Sequence, residues 1–248
     1  MWFDSHNYVV NGYKKDREIQ HEIAILRRGI YLTHLVQVSG LPLQQVEVDF
    51  ATDSTGFATT HYGRWFDVRL GKESQKRLFK KLHVTIGVIT NIITAAILTP
   101  GTANDSPHFE PLMKTTSKIF SIRESSADLA YSSRANLQVV SDLGGIPYIP
   151  FKKNARGAPK GHTWLWRVMF DYYTNHKEEY MQKYHKRSNV ETVFDMVKTK
   201  FGDTLRSKTE TAQNSEILAK CLAHNICVLI QESFELGIDL NFEKCAEI

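Results

Sequence analysis

The chain has 248 residues, 42% of them hydrophobic and 23% charged, which suits one sizeable folded domain and argues against wholesale disorder. Its net charge is only +4, but seven Lys or Arg face two acids in residues 64–83 and nine face three in residues 151–188, while the rest of the chain is acidic. Cys221, Cys227 and Cys245 form no CxxC pair and read as free thiols, no apolar run nears the roughly 20 residues of a membrane span, and MWFDSHNYVV lacks the pattern of a leader, so a cytoplasmic protein without a membrane partner is expected.

Residues 14–38 read as a helix, with Ile19, Ile23, Leu26 and Ile30 at helical spacing, until Gly40 and Pro42 break the pattern. VEVDFATDST alternates Val46, Val48 and Phe50 with Glu47, Asp49 and Ala51, a period-two strand that should end near Asp53. Residues 56–81 look like a basic, partly irregular excursion. HVTIGVITNIITAAILTPG then supplies two β-branched runs divided around Thr90–Asn91, the pattern of a hairpin. SPHFEPLMKTTSKIF opens with Ser-Pro, a good helix start. A short strand at about 122–128 leads to a helix from Ser132 or Ser133 to Asp142, which Gly144–Gly145 ends, and IPYIP is one more strand. The second basic block follows. Its bases are interleaved with Trp164, Trp166, Phe170, Tyr172, Tyr173, Tyr180 and Tyr184, which favours a nucleic-acid face over a merely solvated one. Helices at about 189–202 and 212–235 complete the chain.

The order β-β-β-α-β-α-β, insertion, α is that of an α/β, ribonuclease-H-like fold: a mixed sheet flanked by helices, with a basic insertion before the last catalytic helix. Ligand sites in such sheets gather at the carboxyl ends of strands near a topological switch point. Phosphodiester chemistry without a covalent intermediate calls for hard divalent ions held by oxygen ligands. Asp53, Asp128 and Glu191 are acids from three separate elements. Each also has a plain structural use. Asp53 heads a DST triplet that could turn or cap the chain, and Asp49, on the same strand face, competes with it. Asp128 could cap the following helix. Ser188-Asn-Val-Glu191 is a ready capping box.

The run YHKRSNVETVFDMVK shifts the balance. It holds Tyr184, Arg187, Glu191 and Lys198 in a Y-x2-R-x3-E-x6-K spacing. On a continuous helix all four fall within an arc of about 60°, beside an apolar stripe about 100° wide formed by Val190, Val193, Phe194, Val197 and Phe201. If Ser188 is the N-cap, only Glu191 and Lys198 share that arc. Asp105 in NDSPHF, His83 in KLHV and the exposed His185 read first as structural or solvent-facing residues.

With FATDSTGF, KLHV, NDSPHFEPL, SADLAYSSRANL, GGIPYIPFKKNA, YHKRSNVETVF, KFG and AQNSEILAKCLAHNICVLI, the chain from about 46 to 236 resembles the DDE transposases of prokaryotic insertion sequences. DLAYSS stands where that family more often has D-K-x-Y-D-S. The resemblance implies a magnesium-dependent enzyme, with manganese able to substitute, that cuts DNA at element ends and transfers strands into target DNA. It implies Asp53, Asp128 and Glu191 as catalytic, metal-binding acids. Tyr184, Arg187 and Lys198 would contact DNA, joined by Lys152 and Lys153 of the basic block. It further implies double-stranded DNA as partner, a homodimer on that DNA and a nucleoid-associated place in the cytoplasm. Residues 1–45 then read as a short helical segment, the remnant of an end-recognition region, and 46–248 as the catalytic domain with its insertion at about 151–188. Two other readings stand beside this one: another metal nuclease on the same fold, which strand transfer would separate, and a catalytically inert, truncated DNA-binding remnant.

Overall fold

The computed structural model describes residues 29–59, 79–157 and 164–240. Residues 14–28 of the expected first helix, most of the first basic block and Cys245 lie outside the described residues. Residues 29–38 are helical (α1), and a 3-10 turn at Leu41–Leu43, with Pro42 in its first turn, follows Gly40.

Strand β1 runs over Asp49–Ala58. It does not end near Asp53. Strand β2, Phe79–Gly87, pairs with it antiparallel as far as Ala58↔Phe79, so the DST triplet has a full partner strand and stays extended rather than turning. The expected hairpin joins β2 to β3, Ile93–Pro100. Its turn carries Asn91 at φ 65°, a conformation Asn tolerates better than most residues. Buried Glu47 closes the turn, accepting hydrogen bonds from the Ile89 amide at 3.2 Å and the Thr90 hydroxyl at 2.7 Å. Gly87 is needed there, since a Cβ would sit 2.3 Å from the Glu47 carboxyl carbon.

A 3-10 turn at Ser106–His108 leads into α2, Phe109–Thr116, then β4, Glu124–Ala127. Helix α3, Arg134–Asp142, is capped by Ser133, whose hydroxyl accepts from the Asn136 amide, and Gly144 at φ 86° turns the chain into β5, Ile146–Tyr148. The sheet order is β3-β2-β1-β4-β5, with β1, β4 and β5 parallel and β1–β3 antiparallel. This is a mixed α/β fold: one five-stranded mixed sheet flanked by helices.

Two cores form. Phe50, Phe109, Met113, Tyr131, Leu137 and Val140 belong to one, and Ala51, Phe57, Val84, Val193, Val197 and Ile217 to the other. The alternation of Phe50 with Ala51 along β1 sends successive side chains to opposite faces. Full burial of a side chain of Val to Phe size contributes roughly 1.5–3 kcal/mol.

The basic-aromatic block is helical: α4, Trp164–Asn175, and α5, Lys177–Tyr184. Its aromatic residues are mostly core. Phe151 meets Trp166 edge-on with ring centroids 4.8 Å apart, Tyr148 meets Tyr180 at 5.3 Å, and the Tyr180 hydroxyl donates to the Ile149 carbonyl. The interleaving therefore mostly serves packing of the insertion on the sheet end, not a base-stacking platform; Trp164, 76% exposed, and the half-buried Tyr184 are the exceptions. A 3-10 turn, His185–Arg187, passes directly into α6, Ser188–Phe201, and α7, Glu210–Glu235, closes the described chain. By length and composition α7 could cross a membrane, with an 18-residue stretch of mean hydropathy 1.2. Its Ile217, Leu218 and Cys221 are instead buried in the second core, where Cys221 is a free thiol, as is Cys227 nearby.

Candidate active site

The parallel pairing of β1 with β4 ends at Thr52↔Ala127. Asp53 and Asp128 are the next residues on these neighbouring strands, so the ladder itself sets the two acids side by side where β4 stops. Asp128 also accepts from the Leu129 amide at 2.7 Å and caps the 3-10 turn Leu129–Tyr131, so the capping use and the site position coexist.

Glu191 comes from across the sheet face. Ser188 is not the N-cap of a new helix: it has helical angles (φ −57°, ψ −22°), and its hydroxyl donates back to the His185 carbonyl at 2.8 Å. The capping-box reading therefore fails, because α5, the 3-10 turn and α6 form one nearly unbroken helical run and leave no free first turn to cap. That run brings Tyr184, Arg187 and Glu191 onto one side. Arg187 donates through one nitrogen to Asp53 and through the other to Glu191, the latter at 2.6 Å. Its guanidinium carbon is 6.0 Å from the centre of the Tyr184 ring. Farther along α6, the Lys198 ammonium donates to the Thr55 hydroxyl at 2.6 Å, two residues beyond Asp53 on β1. Lys152 and Lys153 stand exposed on the loop after β5 and touch none of the acids. His185 is exposed, as its sequence setting suggested.

Burial raises the Asp53 carboxyl above its usual range, and nearby Asp128 pushes the same way, against the Ser54 amide and Arg187. Burial would lower Arg187, but the charges of Asp53 and Tyr184 and the contact with Glu191 raise it instead. Arg187 thus answers two carboxylates with one delocalised cation, a geometry suited to its fork. Asp49, the alternative to Asp53, is committed elsewhere: Arg123 grips it with two bonds of 2.8 Å and Lys186 with one of 2.6 Å.

Among the described residues no three His, Cys, Asp or Glu side chains converge closely enough to hold a metal ion, because Arg187 lies between Asp53 and Glu191. The donor chemistry nevertheless fits a hard divalent cation: three carboxylates, two of which already share one positive group. Behind the site, Asp105 accepts from Ser54 at 2.9 Å and pairs with Lys81 at 2.6 Å, and its carboxylate faces the buried His83 ring. These contacts give Asp105 and His83 supporting places. The sequence had not pointed to Lys183, Lys186 or Ser54; their partners lie 51 to 137 residues away, and only the buried position of two strand acids, Asp49 and Glu124, could have signalled that cations must meet them.

A family model described as "Transposase DDE domain" matches residues 44–226. Among solved structures the chain is similar to one described as "Cryo-EM structure of piggyBac transposase synaptic complex with hairpin DNA", at a TM-score of 0.44 and 12% identity over 80% of this chain and 50% of that one. The chain thus spans about half the length of that protein.

Proposed function

Because the chain belongs to the transposase DDE domain family, we propose that it is a ribonuclease-H-like transposase that cuts DNA at the ends of an insertion sequence and joins the freed strand to target DNA. The observation that carries this reading is the single guanidinium of Arg187 bridging Asp53 and Glu191, with Asp128 at the adjacent strand end. A structural helix has little use for an acid, a phenol and two bases gathered along one edge.

Asp53, Asp128 and Glu191 would hold magnesium, or manganese in its place, which would supply Lewis-acid stabilisation of the charge developing during phosphoryl transfer. The chain's own groups do the rest. Arg187 keeps the two carboxylates from repelling each other in the free protein. Once their charge is neutralised otherwise, the same planar fork matches two oxygens of a phosphate near the cut. Lys198 adds a point charge farther along the strand, and Tyr184 packs beside Arg187 to orient it. Lys152 and Lys153 suit contacts with the DNA backbone away from the cut, which position the duplex without reading its sequence. Reaction at two element ends calls for two copies of the chain on DNA.

The test is cleavage of a labelled duplex carrying the element's terminal repeats, with Mg²⁺ or Mn²⁺, beside D53A and E191A. Nicking at the repeat end by the native chain and by neither variant is expected. DNA binding without nicking by the native chain would overturn the enzymatic reading in favour of an inert DNA-binding form.

A further inference from the structure

Asp49 and Glu124 pair directly across the β1–β4 ladder, and their side chains are only 6% and 10% exposed. Two carboxylates this close and this buried need cations. Three are supplied. Arg123, next to β4, binds Asp49, and Lys183 of α5 binds Glu124 at 2.6 Å. The third, Lys186 of the 3-10 turn, donates to Asp49 at 2.6 Å and to Glu124 at 2.5 Å, and so ties the helical run to both strands at once. Arg187, which grips Asp53 and Glu191, is its neighbour in the chain. Asp49 lies one period-two step and one more, four residues in all, before Asp53 on the same face of β1, so the tether and the site share one strand and one helical turn.

We propose that Lys186 is a positioning residue: by bridging Asp49 and Glu124 it fixes the turn that carries Arg187, and through it Glu191, over Asp53. Arg123 neutralises Asp49 from the sheet side with a side chain 63% exposed, and it holds no helix. Charge balance alone would make the two cations equivalent. Position makes them different, because Lys186 spans from the helical run to both strands, while Lys183 of that run reaches Glu124 alone. The inference rests on the metal-site reading above for its second readout but not for its first.

The experiment uses the full chain without DNA. The first readout is amide hydrogen exchange over residues 185–191 in the absence of metal; the second is calorimetric titration with Mn²⁺ alone. K186M should speed exchange in this segment and weaken Mn²⁺ binding, each about tenfold. R123M should do neither, and K186R, which can still reach two carboxylates, should restore both. The triple variant D49N/E124Q/K186M leaves no buried acid unpaired and carries the test if K186M alone does not fold; it should still show the faster exchange and weaker binding. Native behaviour in the triple variant, or equal effects of R123M and K186M, would overturn the proposal and leave charge neutralisation as the role of Lys186. If the native chain binds no Mn²⁺, the metal-site reading fails, and the exchange contrast alone still decides for or against the tether.

Discussion

Asp49 and Asp53 share one face of β1, yet their surroundings move their carboxyls in opposite directions. Burial works against ionisation of Asp49, but the Arg123 and Lys186 contacts outweigh it and hold the group below its usual range. At Asp53 burial wins and the group is raised. A depressed carboxyl contributes stability above its unfolded pKa, which is lost as pH falls through the folded value; a raised one is a charge the fold holds at a net cost near neutrality. D49N should therefore destabilise by roughly 1–3 kcal/mol, a fall of several degrees in melting temperature at pH 7. D53N should leave the melting temperature unchanged or higher while removing DNA cleavage. Thermal denaturation of both variants at pH 7 decides it, and a D53N loss as large as that of D49N would defeat the argument. Residues whose charged form is held against the fold's own preference are those expected at a site used for chemistry.

Among the elements, two serines show why local patterns were readable in one place and misleading in another. Ser133 follows an extended residue and accepts from the Asn136 amide at 3.1 Å, as its sequence suggests. Ser188 has the same signature with Glu191 three residues on, but α5 and the 3-10 turn feed straight into it, so no amide there lacks a partner within the helix. S133A should cost about 1 kcal/mol, the usual value of a lost N-cap, and S188A only a few tenths, as at an ordinary exposed position; urea denaturation of the two variants measures both. The β2–β3 hairpin, the Ser-Pro helix start and the Gly144 stop depend on neighbours in sequence, and all were legible. The full length of β1 was not, because its second half is held by β2 across residues 79–83. Composition points the aromatic residues of the insertion toward nucleic acid because it cannot say whether a Tyr ring faces solvent or another ring. At the site, the spacing of Tyr184, Arg187 and Glu191 was legible as a helical edge. The Arg187 bridge and the Lys186 tether were not, since both join residues more than a hundred positions apart.

Across the whole molecule, the two large cores lie on either face of the one sheet, and polar ties join the layers. Asn225 of α7 exchanges hydrogen bonds with both backbone groups of Ile93 at the open edge of the sheet and donates to Ser39 after α1. It acts as a short substitute strand for an edge that would otherwise show unpaired groups. Two buried histidines belong to the same framework. His224 donates through Nε2 to the Asn91 carbonyl in the hairpin turn, and His83 bonds Thr99 at 2.9 Å. Burial, reinforced by His108 and Lys81 and only partly opposed by Asp105, lowers His83 to about 4, and burial lowers His224 as well. The folded chain thus refuses protons that the unfolded chain accepts below about 6.5. Stability from His83 is therefore fully present above that pH and falls as acidity increases toward its folded value, by up to about 3 kcal/mol in total. Glu47 and Asp53, raised by burial, protonate earlier in the fold and oppose this loss at the acid end of the window. Urea midpoints at pH 7.5, 6.5 and 5.5 should fall steadily for the native chain and less steeply for H83Q, which has no ring to protonate. Equal slopes in the two proteins would mean that His83 takes up its proton in the folded state, and that the layer beneath the acids is wetter than its packing indicates.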